Sequence, residues 1–226
     1  MHAILALALT LGPQPVFRLG PDALISIPDA RLLPGTSVVK TPRGAGFDFD
    51  GDHCGIELPD ASAFRITGSL SISCWVKLRS YLTAQNSAAG SQILFRGDDR
   101  SGHDPYHLTV LQDGTIAFAI EGPHSGAFVS APIELGLWTH VLGSFDFKSG
   151  ALRLYMDGRL VALSTTRVLP LKELDGRSRP GVGIGNVQAA SGGAHNQPLN
   201  GQICDLRLYD LAVSPEIAGF GARSRE

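Results

Sequence analysis

A pair of carboxylates is the simplest catalytic machinery this chain could carry. Retaining glycoside hydrolysis needs an acid and a nucleophile about 5–5.5 Å apart. Carboxylates at i, i+2 and i+4 of a strand share a face and meet that spacing. Here Glu57, Glu121, Glu134 and Glu173 each stand alone. Asp48, Asp50 and Asp52 alternate, but a turn at Gly51 interrupts them, so the three need not share a face. A nucleophilic serine has no better support. No G-x-S-x-G elbow precedes a helix, and His140 sits inside a strand pattern between Thr139 and Val141. The residues point to binding rather than hydrolysis. Carboxylates drawn from separate strands, which no motif would reveal, are the enzyme alternative.

Two other chemistries have candidate residues. Calcium takes six to eight oxygens, and loops supply them well. Asp98, Asp99 and Asp104 lie in one loop, Gly97 to Pro105; the competing reading is turn-forming, solvated aspartates. Sugar recognition combines aromatic faces with planar polar side chains. Tyr106, His103, His107, His124, His195, Asn196 and Trp75 occupy loop or outward positions, and the polar stretch 186–200 reads as a binding rim. Trp75 is opposite in phase to Ile72, Cys74 and Val76, so it faces away from that apolar set and is structural if a loop covers it. Arg96-Gly97-Asp98 spells an integrin-type tripeptide, which three residues can do by chance.

Length and composition narrow the partners. The chain has 226 residues, a formal net charge of -2 and no clustered basic face, so nucleic acid is not an expected partner. No apolar run approaches the roughly 20 residues of a membrane span. Ala3 to Leu11 is apolar and ends at Gly12-Pro13, so residues 1–12 read as an export signal, although no Lys or Arg precedes the run. Cys54, Cys74 and Cys204 have no metal-ligand spacing. Small core residues are the first expectation for them, with Cys204 on one face with Leu206 and Leu208. A Cys74–Cys204 bridge is the alternative in an oxidising compartment.

These residues must be positioned by strands. Trp138 to Asp146 reads as one strand and Ala151 to Met156 as the next, with Leu152, Leu154 and Met156 on one face and Arg153 and Tyr155 on the other. Asp157-Gly158 supplies the hairpin turn to Arg159-Leu160-Val161. Further strands are expected at Leu70 to Leu78, Ile93 to Arg96, Tyr106 to Leu111, Thr115 to Ile120, Ala127 to Ala131, Val182 to Gly185 and Leu199 to Asp210. Val16 to Ile27 is ambiguous, with Val16 to Leu19 and Ala23 to Ile27 each compatible with a short strand, and Ser214-Pro215 reads as the start of a short helix. No helical pattern is long enough for a parallel crossover.

Five segments in order resemble the laminin-G-like domains of the concanavalin A-like lectin/glucanase superfamily. They are F-D-F-D-G at Phe47, S-I-S-C-W-V-K at Ser71, W-T-H-V at Trp138 with L-R-L-Y-M-D-G at Leu152, the strand from Leu199 to Asp210, and the L-A-V-S-P-E-I tail at Leu211. The resemblance covers about residues 45–218, with 13–44 as N-terminal strands and loop of the same domain and 219–226 as a tail. It implies an all-β, antiparallel two-sheet jelly-roll sandwich. It implies a non-catalytic module binding a glycan or an extracellular protein, in a secreted, periplasmic or cell-surface setting. It also implies a structural Ca2+ on Asp50, the Gly51 carbonyl and Asp205. A hydrolase with carboxylates from separate strands, or a purely structural calcium-holding sandwich, remains the alternative. The residues expected to meet a ligand are Tyr106, His107, His103, His195 and Asn196.

Overall fold

The computed structural model describes residues 12–81, 90–192 and 196–221. The strands are β1 (Phe17–Arg18), β2 (Arg31–Leu32), β3 (Thr36–Thr41), β4 (Gly44–Asp50), β5 (Ile56–Pro59), β6 (Leu70–Leu78), β7 (Ser91–Gly97) and β8 (Tyr106–Val110). They continue with β9 (Thr115–Glu121), β10 (Gly126–Pro132), β11 (Thr139–Asp146), β12 (Ala151–Met156), β13 (Arg159–Thr165), β14 (Gly181–Ile184) and β15 (Asn200–Tyr209). One sheet runs β13-β12-β11-β6-β15-β4-β3, with β1 also paired to β15, and the other runs β10-β9-β8-β7-β14-β5-β2. Every pairing is antiparallel. This is the expected two-sheet jelly roll, and the N-terminal strands belong to it, because β1, β2 and β3 pair with β15, β5 and β4.

Alternation builds the core. Leu70, Ile72, Cys74 and Val76 of β6 meet Tyr106, Leu108, Ile116, Phe118 and Ile120 of the facing sheet in one buried cluster. The sheets approach closely where β11 carries Gly143: a Cβ there would lie 2.3 Å from the Phe118 ring. The ring fills the space that glycine leaves, which is the interlocking that dense cores require.

Two expectations are corrected. Ala23 to Ile27 is not a strand; Pro21–Ile25 is a one-turn helix, α1, with Pro21 at its start and Asp22 in its first turn. Proline's preset φ and an acidic first turn outweigh the β-branched run that follows. The second correction concerns β15. Its pairing to β6 passes from Cys204↔Trp75 to Arg207↔Ser73, two intervening residues facing one. Asp205 sits at φ +49 in this bulge, a left-handed conformation that aspartate tolerates better than most residues. The extra residue resets the side-chain phase. Ile203, Leu206 and Leu208 all reach the core cluster, and Cys204 stands opposite Trp75 on the outer face. Cys74 and Cys204 therefore lie on opposite faces of the sheet and do not bridge. All three thiols are free and buried, and burial pushes Cys54 up to about 11, which keeps it protonated and unreactive.

Between the sheet ends lies a buried ion pair. The Arg96 side chain is fully enclosed, with Nε 2.8 Å from Asp60 Oδ1. Its remaining nitrogens donate to Asp60 Oδ2 at 3.2 Å, to the Leu171 carbonyl at 2.9 Å and to the Lys172 carbonyl at 2.7 Å. Asp98 is spoken for as well: although burial opposes its charge, Arg100 and the backbone N–H groups of Arg100 and Asp175 hold it below the usual carboxylate range. The Arg96-Gly97-Asp98 tripeptide is thus sealed into the fold.

Candidate functional site

The outward face of the β7–β8–β9 sheet gathers polar chemistry that the sequence disperses. Strand register puts Glu57, Gly183, Phe95, His107, Ala119 and Phe128 in one row across β5, β14, β7, β8, β9 and β10. The neighbouring row holds Gln92, Thr109, Ala117 and Ser130. Gly183 matters here: a Cβ would strike the Asn186 carbonyl oxygen at 2.2 Å, so only glycine lets the 186–188 turn lie down on this face. Asn186, fully buried, ties that turn to its surroundings through Cys54, Val187, Asn196 and Gln197.

A hydrogen-bonded chain runs over the face. Gln92 Nε2 donates to Gln197 Oε1 at 2.6 Å, and Thr109 Oγ1 donates to Gln92 Oε1 at 2.7 Å. The Thr109 hydroxyl has one proton, already given to Gln92, so it accepts from His107 Nδ1 at 2.7 Å. The other ring nitrogen, His107 Nε2, lies 3.8 Å from Glu121 Oε1. The imidazole and the carboxylate face each other there across a gap wider than a direct hydrogen bond. The Phe95 ring lies 6.4 Å from that of His107. Beside it opens a cleft of about 200 Å³ lined by Phe95, Arg100, Asp104, Val187, Gln188 and Gln197, among others. That is below the roughly 300 Å³ at which drug-sized pockets begin, and suits a single ring. Burial and the neighbouring Glu121 charge push the Asp104 carboxyl up to about 7, with His107 opposing. Near neutral pH it is therefore poised between hydrogen-bond donor and acceptor.

The residues expected from sequence divide. His107 is in the polar row. His103 is half-buried at the rim of the loop, its Nδ1 3.0 Å from the Ser101 carbonyl oxygen. Asn196 spans two loops, accepting from Asn186 and donating to the Asp52 carbonyl, so its role is to hold the rim together. Tyr106 is corrected outright. It is 0% exposed in the core, and its hydroxyl donates to the Phe64 carbonyl at 2.6 Å. One residue from His107, it takes the opposite phase of β8. His195 and the 1–11 stretch lie outside the described residues. Trp75 faces away from the core as its phase predicts, and is covered, with Phe220 stacked 6.5 Å away and Arg43 over its ring at 4.0 Å. Gln197 belongs to the expected 186–200 rim, whereas Gln92, Thr109 and Phe128 are not among the residues expected from sequence. The signal for Thr109 is present: in Tyr106-His107-Leu108-Thr109-Val110 it shares the polar phase with His107.

The calcium set does not assemble. Asp50 pairs with Asn200, and Asp205 lies five residues further along β15, about 16 Å at strand rise. Both Asp205 oxygens are engaged, Oδ1 by Arg18 and Arg207 and Oδ2 by Arg207 at 2.6 Å. Asp50 Oδ1 accepts the Asp52 backbone N–H. Two guanidiniums already neutralise Asp205, so these residues do not fit a shared calcium. Among the described residues no three His, Cys, Asp or Glu side chains group as metal ligands. Excess EDTA is accordingly expected to leave the thermal midpoint unchanged within error, measured by scanning calorimetry with and without added calcium.

Two antiparallel sheets packed face to face around one core define a two-sheet β-sandwich. The chain belongs to the laminin G family of the concanavalin A-like lectin/glucanases superfamily, which it matches over residues 50–217. It is 24% identical over 155 residues to pentraxin-related protein PTX3 of Homo sapiens, covering 66% of this chain and 37% of that relative's length. Its fold is similar to that of domain 4 of AbnA, an extracellular arabinanase of Geobacillus stearothermophilus, in complex with arabinotriose. There the TM-score is 0.58 at 20% identity, with 81% of this chain and 79% of that one covered. It is also similar to the CBM40 of a Ruminococcus gnavus sialidase bound to α2,3 sialyllactose, with a TM-score of 0.60 at 16% identity, covering 78% and 96%. Among the described residues no helix is long and apolar enough to cross a membrane.

Proposed function

We propose that this protein is a non-catalytic carbohydrate-binding module of an exported protein, taking a sugar ring on the outward face of the β7–β8–β9 sheet. The observation that carries the reading is the chain Gln197–Gln92–Thr109–His107, which ends with the His107 ring facing Glu121 beside the Phe95-lined cleft. Amides, an imidazole and a carboxylate around an aromatic wall match a ring with polar edges and an apolar face. Folds similar to this one, bound to arabinotriose and to sialyllactose, support a saccharide as ligand. The apolar start of the chain supports export.

The test is a glycan array of the purified chain that includes arabino-oligosaccharides and sialyllactose. Binding is expected. Gln92→Ala and His107→Ala are each expected to weaken it roughly 5–10-fold, about the contribution of one hydrogen bond. A silent array overturns the reading and moves the partner class to an extracellular protein.

One observation favours a second reading. Asp104, with its carboxyl near 7, and Glu121 interact electrostatically beside the cleft, and a protonated acid beside a carboxylate is what glycoside hydrolysis uses. Reducing-sugar release from a bound glycan, lost in Glu121→Gln, would replace binding by hydrolysis.

A further inference from the structure

On the outer face of the other sheet, the chain after β15 folds back over two buried polar side chains. Residues 215–220 form a turn held by Ala218 N–H to the Ser214 carbonyl at 3.0 Å and Phe220 N–H to the Pro215 carbonyl at 2.9 Å. This segment lays Phe220 against His140 at 5.6 Å and against Trp75 at 6.5 Å, nearly parallel to the indole. The Phe220 ring also seats on Gly158 of the β12–β13 turn, where a Cβ would come within 2.5 Å. Gly219 and Gly221, at φ +99 and +85, flank it.

The covered groups are badly served. His140 is 1% exposed and Trp75 8% exposed. Trp75 Nε1 and both His140 ring nitrogens have no hydrogen-bond partner. The Ala218 backbone favours the protonated imidazole, but it makes no well-formed hydrogen bond to either ring nitrogen, and its carbonyl accepts from Ser73 Oγ at 3.1 Å. Buried polar atoms without partners work against the closed arrangement, and water would satisfy them if the segment lifted.

We propose that Pro215–Phe220 is a strap that closes over Trp75 and His140 at neutral pH and lifts when His140 is protonated. Each element packed on the imidazole bears on this. Asp157 accepts the His140 backbone N–H from the β12–β13 turn at 2.9 Å, while β15 contributes Asp205, which favours the cation, and Arg207, which opposes it. Those two are paired with each other at 2.6 Å and largely cancel. Burial dominates and depresses the imidazole to about 4. With the strap open and water admitted, it returns toward its ordinary value of about 6.5. A depressed base makes closure fully favourable above 6.5 and progressively less so as pH falls to about 4. Across that window the ratio of closed to open states is expected to fall about 300-fold.

The experiment uses the full chain with Trp138→Phe, leaving Trp75 as the single tryptophan, and follows acrylamide quenching from pH 7.5 to 4.5. Quenching is expected to rise with a midpoint between 4 and 6.5 while the far-UV circular dichroism stays constant. Phe220→Ala is expected to be quenchable already at pH 7.5, and His140→Phe to stay protected at pH 4.5. The His140 Cε1–H resonance of the unsubstituted chain gives the same midpoint without any substitution. Quenching that stays flat, that rises equally in His140→Phe, or that rises only with loss of the circular dichroism signal overturns the proposal.

Discussion

Arg96→Ala is expected to destabilise the fold by about 3–5 kcal/mol, the cost of leaving one member of a buried ion pair uncompensated. At this chain length that corresponds to a fall in Tm on the order of 10 °C. The reason is the number of dependants. The guanidinium satisfies both Asp60 oxygens and two backbone carbonyls, Leu171 and Lys172, in a site with no solvent contact for the arginine. Alanine leaves Asp60 with only the half-exposed Arg65 and leaves the two carbonyls with no donor from this side chain. Lysine restores the charge but not the planar fork, so Arg96→Lys is expected to recover less than half of the loss. Urea titration of the three proteins checks both statements. Equal midpoints for wild type and Arg96→Ala would show that the 171–172 segment is not held by this residue.

The second large effect is pH-dependent and has the opposite sign. Asp104 is pushed up to about 7 by burial and by Glu121, against about 3.9 in an unfolded chain. The folded state therefore holds this proton more tightly than the unfolded state. Its contribution is fully present below about 3.9 and is lost as pH rises through 7. Asp104→Asn removes that loss. The variant is expected to be more stable than wild type by about 2–4 kcal/mol at pH 8, a range reduced for partial solvent contact, with the difference vanishing toward pH 4. Denaturant midpoints of both proteins at pH 4, 6 and 8 measure it. A difference that does not change with pH would mean that the carboxyl ionises freely in the fold.

Most of the sandwich was legible in the sequence because it rests on period-two alternation, a local property. The face of His107 was legible too, since its phase follows from its neighbours on β8. Tyr106 was misread because it was weighed by residue type, as an aromatic that sugars favour, although its phase places it in the core. Cys204 defeated the same reasoning for a different reason. Alternation holds only while the pairing is regular, and the Asp205 bulge changes the phase with no composition cue beyond an aspartate inside a strand. The cleft wall was invisible for a third reason. Gln92 and Gln197 lie 105 residues apart, and only the finished topology brings them together. The resemblance marks the Asp205 carboxylate as a calcium ligand, and only the fold brings Arg18, from outside the stretch that carries the resemblance, against it.

The bulge at Asp205 also sets how this chain tolerates insertions and deletions. Replacing Asp205 by another residue would trim an ion-pair network and strain one φ angle. Deleting it would leave Ile203, Cys204, Leu206, Arg207 and Leu208 in strict alternation, so Leu206 and Leu208 would stay on the core face and Arg207 outside, with the bulge gone. A codon lost at Asp205 would thus do less damage than one lost at a regularly paired position of β15, where every later side chain would change face. Relatives of this sandwich that differ in length within this strand are therefore expected to gain or lose the residue at the bulge.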